Sequence, residues 1–285
     1  LQNNVFITNK TLNIRGRLLE LASPKVMGIL NITPDSFYEK SRLATEKDVL
    51  GQAERMLVEG AAMLDIGGYS TRPGAADVSE EIEQDRVVKA VRSVIKHFPQ
   101  AIVSVDSFRS KVAKAAVDEG ACIINDVSGG TLDSLMFETV AELQVPYILM
   151  HMRGSPQTMN SLTHYNNLID EVLDFFHPRV SALRALGVKD VVVDPGIGFA
   201  KKVEQNFSLL NHLEHFKILG KPMVVGLSRK SLIWRTLNGT PEESLNGTTA
   251  LNMAALLKGV SILRVHDVKE AVETVRLYSS LIAAS

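Results

Sequence analysis

Eight short apolar runs, rich in β-branched residues, recur along the chain at positions 26–30, 63–66, 102–105, 122–125, 147–150, 191–193, 223–225 and 262–265. Their spacing averages about 33 residues, which suits one strand, one helix and two loops. Such runs read as strands covered by helices, and therefore as parallel strands. Helical patterns lie between them at 46–59, 81–97, 111–119, 132–143, 165–186, 203–213, 244–258 and 268–283. Gly60, Gly120, Gly187 and Gly259 each stand where a helix hands over to a strand, a position that favours a left-handed residue. Eight strand–helix units predict an α/β fold, a closed (β/α)8 TIM barrel. An open doubly wound sheet is the competitor. It would carry G-x-G-x-x-G after the first strand and a linker between two halves, and neither is present. The segments 6–9 and 12–20 read as a small β-hairpin that plugs the bottom of the barrel. The expected organisation is one domain, with the hairpin in 1–24 and the barrel in 25–285.

Composition narrows the function. With 31 basic and 32 acidic residues the net charge is −1, and no Lys/Arg run offers a stripe for nucleic acid. The single cysteine, Cys122, excludes an intrachain disulfide framework and a CxxC zinc knuckle, and its apolar strand marks it as a small buried hydrophobe. No apolar stretch reaches 18 residues, so no membrane span is expected, and residues 1–10 lack the pattern of a signal peptide. The expected location is cytoplasmic. No P-loop, G-x-S-x-G elbow or H-E-x-x-H occurs, and His151 and His266 alone cannot complete a zinc set.

Sites in such barrels form at the C-terminal ends of the strands, and here nearly every end is polar. Asp106, Asn125 and Asp194 each close an apolar strand. A buried carboxylate there needs donors, and the ring N–H and amino groups of a heterocycle would supply them. Asn125 offers both a donor and an acceptor to the same ring edge. Capping of the following helices is the structural alternative for such residues. On the last strand the period of two puts Arg264 and His266 on one face, with Lys230 one strand away, so an oxygen-rich anion such as diphosphate is the expected partner. The competing reading pairs Arg264 with Asp267 or Glu270. Asn31 neighbours the last strand when the barrel closes and can face the anion or a hydrated Mg²⁺. The segments 32–45 and 71–79 read as lids, or else as ordinary surface loops.

These strand ends, in this order, resemble those of the dihydropteroate synthases, a pterin-binding TIM-barrel family. The likeness is densest in Asn31-Ile32-Thr33-Pro34-Asp35-Ser36-Phe37, Asp65-Ile66-Gly67-Gly68, Ser70-Thr71-Arg72-Pro73-Gly74, Asp194-Pro195-Gly196-Ile197-Gly198-Phe199 and Ser228-Arg229-Lys230-Ser231. The resemblance implies condensation of a dihydropterin diphosphate with p-aminobenzoate, by an SN1-like route with Mg²⁺. It implies that Asp106, Asn125, Met150, Asp194, Phe199 and Lys230 hold the pterin. Asn31, Arg72, Arg264 and His266 then hold the diphosphate, with Asn31 also on the metal. Phe37, Thr71, Pro73 and Ser231 form the p-aminobenzoate pocket. It further implies a homodimer and competition by sulfonamides. One departure stands out. Where the family often carries a Gly-rich stretch, this chain has Tyr38-Glu39-Lys40-Ser41-Arg42. The rivals are a pterin-binding methyltransferase barrel, which would share the ring-edge acids without needing the anion cluster, and a catalytically silent interaction partner.

Overall fold

A computed structural model describes residues 10–32, 46–70 and 77–284. Two antiparallel strands come first, β1 (Thr11–Ile14) and β2 (Arg17–Glu20). Eight parallel strands follow: β3 (Lys25–Asn31), β4 (Met63–Gly67), β5 (Val103–Asp106), β6 (Ile123–Asp126), β7 (Tyr147–Met150), β8 (Val191–Asp194), β9 (Val224–Gly226) and β10 (Ile262–Val265). They run in the order β8-β7-β6-β5-β4-β3-β10-β9. A parallel bridge between Val193 and Met223 joins β8 to β9, and the Val193 N–H donates to Pro222 O at 2.9 Å. The barrel is the expected one, and every strand lies within a residue or so of its expected place.

Nine helices surround it among the described residues: α1 (Glu46–Val58), α2 (Glu80–His97), α3 (Ser110–Asp118), α4 (Met136–Leu143), α5 (Leu168–Ala185), α6 (Val203–Asn211), α7 (Ser231–Thr236), α8 (Leu245–Leu257) and α9 (Val268–Ala283). The extra one is α7, a short helix between β9 and α8 that hydrophobic periodicity does not reveal. Two other starts shift inward for local reasons. Asn167 caps α5 by accepting from Asp170 N, and Asp133 accepts from Leu135 N and Ser110 N, which keeps 132–135 out of α4.

Strand alternation divides the interior. One set of side chains, including Leu64, Ile66, Val105, Leu149 and Val193, packs against the helices. The opposite set points into the barrel. At its lower end Met27, Met63, Ile123, Ile148, Val192, Val224 and Ile262 form an apolar plug with Leu12, Ile14 and Leu21 of the hairpin segment. Burying a side chain of this size contributes roughly 1.5–3 kcal/mol, so the hairpin seals the bottom as expected. Both of its arms lie within 11–20, whereas the expected arm at 6–9 falls outside the described residues. The upper inward positions are polar, and it is these that build the site.

Adjacent residues on β6 illustrate the division. Asn125 points inward. Asp126 points to the helix side, where its carboxylate accepts from Tyr147 Oη at 2.6 Å, Ser128 N and Oγ at 2.7 Å and Gly130 N at 2.8 Å. Tyr147→Phe removes a hydrogen bond to a buried carboxylate, and urea denaturation should register a loss of roughly 1.5–3 kcal/mol. An unchanged midpoint would contradict this bracing role of Asp126.

Candidate active site

The upper mouth of the barrel is organised around Arg264. Its Nε donates to Asp65 Oδ2 and its Nη2 to Asp106 Oδ2, each at 2.6 Å. Asn125 Nδ2 donates to the same Asp65 oxygen at 2.9 Å. Four side chains from β4, β5, β6 and β10 thus share one network. Sequence proximity suggested Asp267 or Glu270 as the alternative partners of Arg264, and the structure rejects that reading. Asp267 is held instead by Arg229, whose Nε and Nη2 donate to its two oxygens at 3.0 and 2.8 Å. An inward residue on β10 reaches acids across the mouth, because neighbours in sequence point to the opposite side.

Sequence reasoning missed Asp65 as a site residue. It is fully buried, and among the described residues its Oδ1 has no hydrogen-bond partner. The signal was present: Asp65 stands two positions beyond inward-facing Met63 in an apolar strand. Asn31 ends β3 beside Gly67 of β4. A Cβ built on Gly67 would lie 3.6 Å from Asp106 Oδ2 and 3.7 Å from Asn31 Oδ1, so the two side chains flank the same bare stretch of backbone.

Asp194 and Lys230 face the network from the other side. Asp194 Oδ1 accepts from Gly196 N at 2.8 Å. Lys230 Nζ donates to Ile197 O and sits 4.7 Å from the centroid of the Phe199 ring. Met150 is buried with Val127, Met152, Met159 and Ala200, and Phe108 and Phe199 pack against that cluster. An apolar wall therefore stands next to the polar groups, as a flat heterocycle requires. His266 N and Nδ1 meet Ser228 Oγ at 3.2 and 3.1 Å. Ser231 is partly buried as the first residue of α7, directly after Lys230. Phe37, Thr71, Arg72 and Pro73 lie outside the described residues, as does the stretch 38–42.

Beneath the mouth, Glu83 of α2 is fully buried, accepting from Ser107 Oγ and from Arg109 Nη1, each at 2.6 Å. This fixes the turn that follows Asp106. Lys201 is nearly enclosed beside His151, and sequence reasoning passed over it. Cys122 is buried and burial pushes its thiol up, in keeping with a packing residue rather than a nucleophile.

Electrostatics follow from burial. Loss of water pushes the Asp106 carboxyl up to about 7, with the Arg264 charge opposing. Burial also raises Asp194, against the pull of Lys230. The same desolvation lowers the Lys230 ammonium to about 8, with Asp194 opposing. Acids and cations held away from their ordinary values cluster where function is found. A lysine whose folded value lies near 8, below its unfolded value of about 10.4, destabilises the fold at neutral pH. That penalty is fully present below about 8 and fades as pH rises towards 10.4. Lys230→Met should therefore raise the thermal midpoint at pH 7, with the gain shrinking through this window. A gain that is absent at pH 7, or that grows towards pH 10, would contradict the assignment.

Comparison with known proteins agrees with this architecture. The pterin binding enzyme family matches residues 27–266. The dihydropteroate synthase of Escherichia coli (strain K12) is 39% identical over 272 residues, covering 95% of this chain and 96% of that protein. Among solved structures, Yersinia pestis dihydropteroate synthase in a sulfonamide drug complex superposes with a TM-score of 0.91 at 38% identity, covering 96% of this chain and 99% of that one. Xanthomonas albilineans dihydropteroate synthase with 4-aminobenzoic acid gives a TM-score of 0.89 at 37% identity, covering 97% and 99%. The chain belongs to the dihydropteroate synthase family of pterin-binding enzymes.

Proposed function

We propose that this protein condenses 6-hydroxymethyl-7,8-dihydropterin diphosphate with p-aminobenzoate, giving 7,8-dihydropteroate and diphosphate. The observation that carries the reading is the Arg264 network, in which one guanidinium joins Asp65 and Asp106 and shares the Asp65 oxygen with Asn125. The ring seats its N–H and amino groups on Asp106, Asn125 and Asp194, with Lys230 on its oxygen-bearing edge and Met150 and Phe199 as walls. To do so it takes the place of Arg264 on Asp106. Arg264 Nη2 is then free for the diphosphate, while Nε stays on Asp65. His266, Asn31 and Arg72 complete the anion side. Phe37, Thr71, Pro73 and Ser231 receive the p-aminobenzoate, and sulfonamides compete for that pocket.

The route is SN1-like. The C–O bond to diphosphate breaks, and its electron pair leaves with the diphosphate. The pterin methylene cation that remains is stabilised by the ring and by the negative field of the acids at its edge. The arylamine nitrogen forms the new C–N bond and releases its proton to water. No strong protein base is needed, because the arylamine is weakly basic and attacks as the neutral amine. A methyltransferase barrel would have no use for Arg264, His266 and Asn31 gathered on one side.

Mg²⁺ fits the donor set. Among the described residues no group of three His, Cys, Asp or Glu is placed to hold a metal. A single amide oxygen, Asn31 Oδ1, suits an ion that keeps its waters and takes its other ligands from substrate phosphate. When bound, it would neutralise charge on the departing diphosphate. No described helix is long and apolar enough to cross a membrane. The exposed Leu277 and Ile282 on α9 support a homodimer contact there.

Incubation with dihydropterin diphosphate, p-aminobenzoate and Mg²⁺ should release diphosphate and dihydropteroate in equal amounts. Folded protein without product would reject the function. Arg264→Ala should weaken binding of the diphosphate substrate by about 10–100-fold, and that of dihydropteroate much less. Equal losses would remove Arg264 from the anion side.

A further inference from the structure

Lys201 takes no part in the chemistry proposed above, yet it is only 9% exposed. Burial lowers its ammonium to about 7, with Asp194 opposing, and a buried ammonium is costly unless every N–H finds an acceptor. Here all three do: Gly196 O at 2.9 Å, Phe199 O at 3.0 Å and His151 Nδ1 at 3.0 Å. Burial and the Lys201 charge push the His151 imidazole down to about 2, so it stays neutral and Nδ1 offers a lone pair. The Lys201 side chain therefore ties the end of β7, through His151, to two carbonyls of the β8–α6 loop.

That loop is the ring-side wall, and it is poorly suited to hold its own shape. Gly196, Gly198 and Ala200 all have positive φ, at 72°, 86° and 50°. The Ala200 conformation is unfavourable for a residue with a side chain and persists only where surroundings enforce it. The loop also presses against β7 closely enough that a Cβ on Gly196 would stand 2.0 Å from His151 O. From this backbone hang the groups that face the ring. Gly196 N holds Asp194, Ile197 O holds Lys230, and the Phe199 ring lies beneath the Lys230 ammonium. A second latch comes from Asn206 of α6, whose Oδ1 accepts from Gly198 N at 2.6 Å and whose Nδ2 donates to Lys202 O at 2.9 Å. The Asn206 latch holds the middle of the loop and Tyr165 Oη donates to Ala200 O at 3.0 Å, whereas Lys201 reaches the carbonyls of Phe199 and of Gly196, the latter accepting also from Phe199 N at 3.1 Å.

We propose that Lys201 is a positioning residue that fixes the 195–200 loop, and through it the Asp194, Phe199 and Lys230 side of the pterin pocket, without touching substrate. The inference rests on the synthase reading and concerns one substrate only. Lys201→Met keeps the aliphatic stem and removes the ammonium. In steady-state assays its KM for dihydropterin diphosphate should rise about tenfold, from the loss of hydrogen bonds to a charged group. KM for p-aminobenzoate should stay within about twofold and kcat within about threefold, because the loop sits on the pterin side. Lys201→Arg, which retains a cation with several donors, should recover part of the loss. An unchanged pterin KM in folded Lys201→Met, or equal losses towards both substrates, would overturn the proposal. His151→Leu leaves the ammonium on both carbonyls and removes one acceptor. It should give the same selective rise at about threefold, and it decides the matter should Lys201→Met fail to fold; no rise there overturns the proposal. A wild-type protein that binds no dihydropterin diphosphate would overturn the synthase reading and this inference together. Wild-type binding that Lys201→Met matches would overturn this inference alone.

Discussion

The ion-pair network of Arg264 with Asp65 and Asp106 is the constraint around which the barrel mouth is built. Asp65 and Asp106 stand on the neighbouring strands β4 and β5, and without a cation beside them the two carboxylates would repel. One guanidinium placed between them, with 2.6 Å contacts to each, makes the arrangement tolerable. The planar fork of arginine matters here, because a lysine could not serve two carboxylates from fixed directions. Asn125 joins through the same Asp65 oxygen, so its amide is oriented by the group that anchors Arg264. Buried ion pairs of this kind seldom raise stability. Their value here is orientation.

The rest of the fold supplies the conditions for that network. Alternation along eight strands sends one set of side chains to the helix layer and the other inward. The lower inward positions are apolar and sealed by the hairpin, so stability is concentrated below. The upper inward positions are then free to carry charge. Outside the barrel wall, Asp126 and Glu83 are buried acids whose oxygens are all hydrogen-bonded, and they brace the turns that follow Asn125 and Asp106. Lys201 does comparable work for the loop after Asp194.

The strands were legible in the sequence because each is a compact apolar run whose position is fixed by burial on both sides. Asp106, Asn125 and Asp194 were legible as candidate site residues because each interrupts such a run at its C-terminal end. Asp65 was not, since two further residues of its strand follow it and it resembles an interior position. The partners of Arg264 were misjudged for a related reason. Asp267 and Glu270 are close in sequence, while Asp65 and Asp106 come close only when β10 closes beside β3. Helix α7, six residues long, is too short for periodicity to register. Lys201 was hidden because lysine after a strand–loop ordinarily signals solvent, and only the three-dimensional turn of the loop encloses it.

The central claim is that one arginine serves the ring edge when the site is empty and the anion when it is filled. The most direct test is the crystal structure of the complex with dihydropterin diphosphate. The separation of Arg264 Nη2 from Asp106 Oδ2, 2.6 Å in the structure described, should open beyond hydrogen-bond reach, about 3.5 Å. Arg264 Nε should remain on Asp65 Oδ2, and the ring N–H groups should occupy Asp106. A pterin bound with the Arg264–Asp106 pair intact, or with its ring away from Asp106, Asn125 and Asp194, would contradict the account.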